Sequence, residues 1–204
     1  MAITGTLHIP AQSDVLEFAR RPLEAKQCAL LVVDIQEKLL PPMFNRQQLV
    51  NNSQLLLRLA KVLNLPVMAT TQYARGLGAT VPEIAKLLPS DEVTDKLEFS
   101  CFGSERFCEE MKALPSSCNT LLLCGMETHI CVMQTALAAL RNGYVVHIAA
   151  DAVGSRTELN WQIGLQRMGA AGAVISSTEM MMYELLRRSG TAQFKEMLQY
   201  LKAE

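Results

Sequence analysis

The segment that decides the fold is residues 121–132, which read LLLCGMETHICV. Its apolar run stops at Gly125, the chain turns within a few residues, and apolar residues then recur at helical spacing. A strand, a tight turn and a helix in this order are typical of an α/β sheet, in which ligands bind at the carboxyl ends of the strands. Thr128 is a predicted helix N-cap, which places Cys131 in the first helical turn. A thiol at this position feels the positive end of the helix dipole, so we expect Cys131 to ionise more readily than the other cysteines.

The rest of the chain alternates strand and helix patterns, which predicts an α/β fold with a doubly wound, six-stranded parallel sheet and helices on both faces. The continuous apolar run Cys28–Val33 is typical of a strand buried on both faces. The other predicted strands cover residues 66–71, 93–95, 120–124, 144–150 and 173–176. Helices are predicted over residues 47–63, 81–88, 104–114, 128–142, 157–168, 178–188 and 192–202.

Length and composition limit the class of protein. The chain has 204 residues, of which 50% are hydrophobic, so residues 28–204 are predicted to form one domain behind an N-terminal extension of residues 1–27. Its net charge of −1 indicates neither nucleic acid nor an anionic membrane as a partner. The sequence contains neither an apolar run of the roughly 20 residues that span a membrane nor the layout of a signal peptide. Six cysteines without a C-x-x-C pair indicate free thiols, so we expect a cytoplasmic protein, with an organelle matrix as the alternative.

Three reactive groups follow or adjoin the ends of predicted strands, namely Asp34, Lys96 and Cys131. Since parallel strands present their carboxyl ends at one edge, we expect the three to meet, with the carboxylate as base and the ammonium favouring the thiolate. A Cys–His pair is the rival, but His129 and Cys131 are two residues apart and diverge by about 200° on a helix. His147 lies in an apolar strand pattern and is predicted to be a core residue. Each of the three also has an alternative role outside a shared site. Asp34 could cap a turn, Lys96 could be a surface charge, and Cys131 could be a core residue.

Four residues near strand ends are candidates for a substrate pocket: Gln36, Tyr73, Phe99 and Phe102. Amides and aromatic rings at such positions commonly shape sites for small molecules, with ordinary core packing as the alternative for each. The methionine run at residues 180–182 is predicted to fill the core or a subunit interface rather than to bind a metal.

Three motifs carry a family resemblance: VVDIQ at residues 32–36, KLEFS at 96–100 and GMETHICV at 125–132. In this order and at these separations they resemble the isochorismatase-like cysteine hydrolases, which include nicotinamidases, N-carbamoylsarcosine amidohydrolases and isochorismatases. The resemblance spans about residues 28–177. The stretch TQYARGLGATVPE at residues 71–83 is similar to the isochorismatase domain-containing proteins in particular.

The resemblance implies a Rossmann-like three-layer fold, a catalytic triad of Asp34, Lys96 and Cys131, and no cofactor. It also implies a cis peptide bond between Met126 and Glu127, with the backbone N–H groups of Glu127 and Cys131 forming an oxyanion hole. The reaction implied is acyl transfer through a thioester on Cys131. Many members of the superfamily assemble from identical subunits, so we expect a homo-oligomer.

Two departures from the family patterns refine the expected activity. Metal-dependent nicotinamidases carry an Asp-x-His motif after the second strand, whereas residues 70–75 read TTQYAR, so we expect no metal and do not expect nicotinamide as the substrate. The isochorismate-cleaving enzymes of siderophore pathways lack the nucleophilic cysteine, whereas Cys131 is present. We therefore expect a metal-independent cysteine hydrolase of a small amide or related acyl substrate. The alternatives are a catalytically weak scaffold for binding or redox sensing, with Cys101 and Cys124 close to the site in sequence, and an isochorismatase-type ether hydrolase.

Overall fold

The computed structural model describes residues 20–89 and 93–201, whose six strands form one parallel sheet. The strands are β1 (Cys28–Val33), β2 (Val67–Gln72), β3 (Thr94–Lys96), β4 (Thr120–Met126), β5 (Val145–Gly154) and β6 (Val174–Ser176). Their order in the sheet is β3-β2-β1-β4-β5-β6, and every neighbouring pair is parallel. The chain builds outward from β1 to β3 and then returns to β4 on the other side of β1. The predicted doubly wound sheet is confirmed, and its order reverses between β1 and β4.

Helices connect the strands and cover both faces of the sheet. They are α1 (Arg46–Leu63), α2 (Ala74–Leu77), α3 (Pro82–Ala85), α4 (Glu105–Ala113), α5 (Met133–Arg141), α6 (Glu158–Ala170), α7 (Thr178–Leu186) and α8 (Ala192–Leu201). Short 3₁₀ turns lie at Ala25–Gln27 and Cys101–Gly103, and a π-helical turn, Thr128–Val132, precedes α5. Ser104 and Thr157, the first residues of two predicted helices, occupy N-cap positions, and each side chain accepts from the backbone N–H three residues further on, at 3.4 and 3.3 Å.

Each face of the sheet has its own apolar core, because successive side chains of a strand point to opposite faces. Leu30 of β1 packs with side chains of α1, α7 and α8, whereas Leu31 packs with those of α4, α5 and α6. Both leucines are almost fully buried, and burying each such side chain stabilises the fold by about 1.5–3 kcal/mol. Of the methionine run, Met181 and Met182 are buried in the first core, and Met180 is 53% exposed.

Four strands end later at the carboxyl edge than the sequence predicts. The strand β2 ends at Gln72, one residue past its predicted end. The strand β3 includes Lys96, which pairs with Gln72 of β2, instead of stopping one residue earlier. The strand β4 continues to Met126, and β5 continues to Gly154 after a register shift opposite residues 123–125 of β4. Pairing with neighbouring strands determines where these strands end, and this pairing cannot be predicted from the local apolar pattern of the sequence.

The described part of the N-terminal extension is attached to the domain. Leu23 is buried in the core beside α1, and its N–H donates to Glu184 Oε2 of α7 at 3.2 Å. Residues 1–19, most of the predicted extension, lie outside the described residues, as does the predicted end of the last helix at Lys202. Among the helices of residues 20–89 and 93–201, none is long and apolar enough to cross a membrane.

Candidate active site

The structure brings Asp34, Lys96 and Cys131 together at the carboxyl edge of the sheet. Asp34 directly follows β1, and Cys131 lies in the π-helical turn after β4, so the two flank the point where the strand order reverses. Ligands of doubly wound folds bind in the crevice at this point. The Lys96 ammonium lies 2.7 Å from Asp34 Oδ2, and the same carboxyl group is close enough to the Cys131 thiol to raise its pKa.

Asp34 is fully buried, and its position is determined by contacts with two neighbouring strands. Thr70 Oγ1 donates to Asp34 Oδ1 at 2.7 Å, Lys96 Nζ donates to Oδ2, and the Asp34 N–H donates to the Thr70 carbonyl at 3.1 Å. Its backbone adopts a φ of 51°, the left-handed region that aspartate tolerates better than most residues. The carboxylate is therefore held in one orientation, with charge-assisted hydrogen bonds to both oxygens.

Lys96 is equally buried and has a second acceptor, Gln72 Oε1, at 3.0 Å from Nζ. Burial alone would lower the pKa of this lysine, but the charge of Asp34, with smaller electrostatic contributions from Cys101 and Cys131, outweighs burial and raises the pKa. Lys96 therefore stays an ammonium. Gln72 Nε2 donates to the Leu97 carbonyl at 2.7 Å, which turns the amide oxygen of Gln72 toward Lys96.

Gln36 holds the end of β2 in place. Its Oε1 accepts from the Gln72 N–H at 2.7 Å, and its Nε2 donates to the carbonyls of Gln72 (3.1 Å) and Gly78 (2.8 Å). The amide is fully buried, so these contacts favour a structural role over the predicted pocket role. Sequence reasoning missed Thr70 and Gln72, although two polar residues two positions apart at the carboxyl end of a buried strand are a detectable signal.

The turn that carries Cys131 does not begin with the predicted cap. Glu127 occupies the N-cap position, and the Thr128 hydroxyl is buried without a hydrogen-bond partner among the described residues. The Glu127 carbonyl accepts from the N–H groups of Ile130 (3.0 Å) and Val132 (3.2 Å). The bond from Val132 spans five residues, which makes the turn π-helical, a feature often found at functional sites. The prediction of Thr128 as N-cap is therefore wrong.

Burial, more than the helix dipole, sets the protonation of Cys131. Burial raises its pKa, the charge of Asp34 raises it further, and Lys96 only partly opposes these effects. The pKa of the thiol lies well above the ordinary cysteine value, so Cys131 rests as a thiol close to the Asp34 carboxyl group. The expectation that Cys131 ionises more readily than the other cysteines is therefore wrong, because the dipole argument considers only the local helix and leaves out burial and Asp34.

The backbone before Cys131 passes very close to β1. The peptide bond between Met126 and Glu127 is cis. Gly125 has a φ of +120°, and a Cβ at this position would lie 2.0 Å from the Val33 carbonyl oxygen. Only glycine fits there.

The predicted pocket residues fall into two groups. Tyr73 and Phe99 are 47% and 54% exposed beside the ends of β2 and β3. Phe102 instead packs its ring against Phe107 and Tyr144, with ring centroids 5.3 and 6.1 Å apart. Tyr144 directly precedes β5, so these contacts point away from the carboxyl edge and favour the core-packing alternative for Phe102.

Neither histidine of the described ranges, His129 or His147, is hydrogen-bonded to the Cys131 thiol. His147 is buried, which lowers its pKa to about 4 and keeps it neutral in the core, as predicted. His129 Nδ1 lies 3.0 Å from Ser155 Oγ. Within the described ranges, no group of three or more His, Cys, Asp and Glu side chains is arranged to hold a metal ion. All six cysteines are free, and Cys101 lies beside the triad with its Sγ 3.7 Å from Thr70 Oγ1.

Known proteins are similar in sequence to this chain over most of its length. The family profile described as Isochorismatase domain matches residues 28–180. The secreted isochorismatase effector Isc1 of Phytophthora sojae is 38% identical over 176 residues, which cover 85% of this chain and 83% of that protein. Isochorismatase domain-containing protein 2 of Rattus norvegicus is 35% identical over 173 residues, which cover 85% and 80%.

Solved structures share the fold. MAR1 ribonuclease from Caenorhabditis elegans matches with a TM-score of 0.82 at 30% identity, covering 89% of this chain and 93% of that chain. The YcaC gene product of Escherichia coli, described as an octameric hydrolase of unknown specificity, matches with a TM-score of 0.79 at 27% identity, covering 89% and 94%. Because the profile, the sequence identities and the sheet all agree, the chain belongs to the isochorismatase family of hydrolases.

Proposed function

We propose that the protein is a metal-independent cysteine hydrolase of a small amide or related acyl substrate, and that Asp34, Lys96 and Cys131 carry the reaction without a cofactor. One observation supports this most strongly: a single buried carboxylate accepts hydrogen bonds from Lys96 and Thr70, both at 2.7 Å, and is close enough to Cys131 to raise the pKa of its thiol. A nucleophile with a base in hydrogen-bond contact, and a third group that orients the base, is the arrangement that covalent catalysis requires.

The proposed reaction has two stages. The Cys131 thiol gives its proton to Asp34, and the sulfur attacks the carbonyl carbon, whose π electrons move to the oxygen. The oxyanion collapses, the C–N bond breaks, and Asp34 passes the proton to the leaving amine, which leaves a thioester. Water then attacks the thioester while giving a proton to Asp34, and the acid leaves as the sulfur recovers that proton.

Lys96 supplies a fixed positive charge throughout this cycle. Moving a proton from Cys131 to Asp34 shifts one negative charge from the carboxylate to the sulfur, so the total charge of the triad is unchanged. The raised pKa of Lys96 keeps its ammonium charged in both states. Forming the thiolate therefore adds no net charge to the buried site. Its free-energy cost is that of moving one proton from Cys131 to Asp34.

The proposed oxyanion hole consists of the N–H groups of Glu127 and Cys131. The π-helical pairing supports this, because in the described chain the Glu127 carbonyl accepts from Ile130 and Val132 rather than from Cys131. Preorganised backbone donors of this kind are worth roughly 100- to 1,000-fold in rate each.

We propose that Tyr73 and Phe99 line the entrance for the substrate. The neighbouring Leu97 is 70% exposed, so the entrance offers apolar contacts to a small molecule. The net charge of −1 disfavours a nucleic-acid substrate, although one structural relative is named a ribonuclease. A cytoplasmic location stays a prediction.

We also propose a homo-oligomer. The octameric Escherichia coli relative supports this. Exposed apolar side chains on α6 and α7, such as Leu159 (65%), Ile163 (51%) and Met180 (53%), offer surface for subunit contacts.

Isochorismatase-type ether hydrolysis is the second candidate, because a relative is named an isochorismatase effector. A hydrolysis screen over small amides and isochorismate, with chelator present, separates the two. Amide turnover that Cys131→Ala and Asp34→Asn both abolish, and that Cys108→Ala retains, supports the proposal. Isochorismate cleavage that survives Cys131→Ala supports the ether hydrolase. The absence of any turnover supports the alternative of a scaffold for binding or redox sensing.

A further inference from the structure

The segment after β5 contacts the turn that carries Cys131 through side chains outside the triad. Arg156 donates twice to Glu127 Oε2, from its backbone N at 3.2 Å and from Nε at 3.1 Å. The adjacent Ser155 Oγ lies 3.0 Å from His129 Nδ1. Glu127 and His129 flank Thr128, so these contacts hold both sides of the residue that starts the π-helical turn.

The Glu127 carboxylate is buried in a way that requires charged donors. Its side chain is 9% exposed, whereas the side chain of Arg156 is 57% exposed and reaches inward to it. A carboxylate removed from water needs hydrogen bonds and a counter-charge, and Arg156 supplies both.

We propose that Arg156 is a positioning residue for the oxyanion hole, because it holds the side chain of Glu127 and so orients the peptide group whose N–H faces the developing oxyanion. The inference rests on the proposed function. Glu127 is engaged at three points: Arg156 holds its side chain, its carbonyl begins the π-helical turn, and its N–H is the proposed donor. If the Glu127 side chain were free to move, the backbone N–H of Glu127 would be held less firmly in the orientation that the oxyanion requires.

Packing holds the other side of the turn independently of Arg156. A Cβ at Gly164 of α6 would lie 3.1 Å from His129 Cα and 3.2 Å from the Thr128 carbonyl carbon, so the helix backbone lies directly against the turn. Loss of Arg156 therefore loosens Glu127 while Cys131 keeps its place beside Asp34.

The expected effect is a selective loss of turnover. Arg156→Ala should lower kcat about tenfold with KM nearly unchanged, less than the roughly 100- to 1,000-fold cost of deleting a donor outright. The loss is partial because the backbone N–H of residue 156 still donates to Glu127. Arg156→Lys should recover most of the activity, since an ammonium can pair with the same carboxylate.

The experiment combines three measurements on the full-length chain. These are kcat and KM for an amide that the parent hydrolyses, the affinity for the aldehyde with the same acyl part, and the rate of Cys131 alkylation by iodoacetamide. The Cys131 sulfur attacks the carbonyl carbon of the aldehyde, and the thiol proton moves to the aldehyde oxygen, which then occupies the oxyanion position. Alkylation by iodoacetamide places no oxygen in that position. The matched control is Arg106→Ala, because Arg106 is 55% exposed and pairs through Nε with Glu110 at 3.1 Å on α4.

The inference predicts that Arg156→Ala loses aldehyde affinity in parallel with kcat and keeps the alkylation rate of the control. It is overturned if Arg156→Ala matches Arg106→Ala in kcat and aldehyde affinity, or if alkylation falls as far as kcat, which indicates general loosening. A parent that turns over no amide and binds no aldehyde at Cys131 refutes the proposed function itself, which distinguishes the two failures.

Discussion

Lys96→Met tests whether the buried ion pair holds the site together. The Lys96 ammonium and the Asp34 carboxylate are 2.7 Å apart, and both side chains are fully shielded from solvent. At an effective dielectric constant of about 20, unit charges at this distance attract by about 6 kcal/mol, much of which offsets their desolvation. Removing one partner leaves the other charge buried and unpaired, so we expect the free energy of unfolding at pH 7 to fall by about 3–5 kcal/mol.

The double variant Asp34→Asn/Lys96→Met should recover a large part of this loss, because it leaves no charge unpaired. The pH dependence has a defined sign. Since the pKa of Lys96 is raised above 10.5, its stabilisation of the parent is fully present below pH 10.5 and is lost only as the pH rises above that value. The parent and Lys96→Met should therefore converge in strongly alkaline solution, where Lys96 loses its charge.

Urea unfolding followed by Trp161 fluorescence measures these differences, with Lys38→Met as the control. Lys38 is also hydrogen-bonded, to the Gly76 carbonyl at 2.9 Å, but it is exposed. The reasoning is refuted if Lys96→Met is as stable as Lys38→Met. It is equally refuted if the two single losses add in the double variant to within about 0.5 kcal/mol, which means that the charges do not couple.

Three further predictions follow from single positions. Gly125→Ala should cost more than about 3 kcal/mol in urea unfolding or prevent folding, because its Cβ would collide with the β1 backbone. Gly143→Ala, also at positive φ but with no described atom within 4 Å of its Cβ, should cost only about 1 kcal/mol, and equal losses would contradict this. Thr70→Val should lower kcat and cost about 1–3 kcal/mol by removing a buried donor to the Asp34 carboxylate. The control Thr71→Val removes a hydroxyl that donates to Asp95 Oδ1 at 3.0 Å and should retain kcat. The rate of Cys131 alkylation should still be rising at pH 9, because burial and the carboxylate raise the thiol pKa, and a plateau near pH 7 would contradict that assignment.

The location of the triad was predictable because it depends on patterns along the chain. A continuous apolar run marks β1, Asp34 directly follows it, and Gly125 marks the end of the apolar run of β4, shortly before the turn that carries Cys131. Parallel strands bring such positions to one edge of the sheet, so proximity follows from topology.

The environment of the triad was not predictable, because it depends on contacts between distant segments. The pairing of Gln72 with Lys96 comes from the register of β2 against β3, which leaves no local trace in the sequence. The protonation of Cys131 depends on its burial and on Asp34, whereas the sequence offered only the helix dipole. The sequence predicts Thr128 as a helix cap, but Glu127 occupies the N-cap position and Thr128 is the first residue of the π-helical turn.

The central claim is that Cys131 carries the acyl group during turnover. The most direct measurement is acid quenching of the parent during hydrolysis of its best amide, followed by intact-mass analysis and peptide mapping. The account predicts a mass increase equal to the acyl group less one hydrogen, on the peptide containing Cys131, that disappears in Cys131→Ala together with turnover. Turnover that persists in Cys131→Ala, or an adduct on another residue, would contradict it.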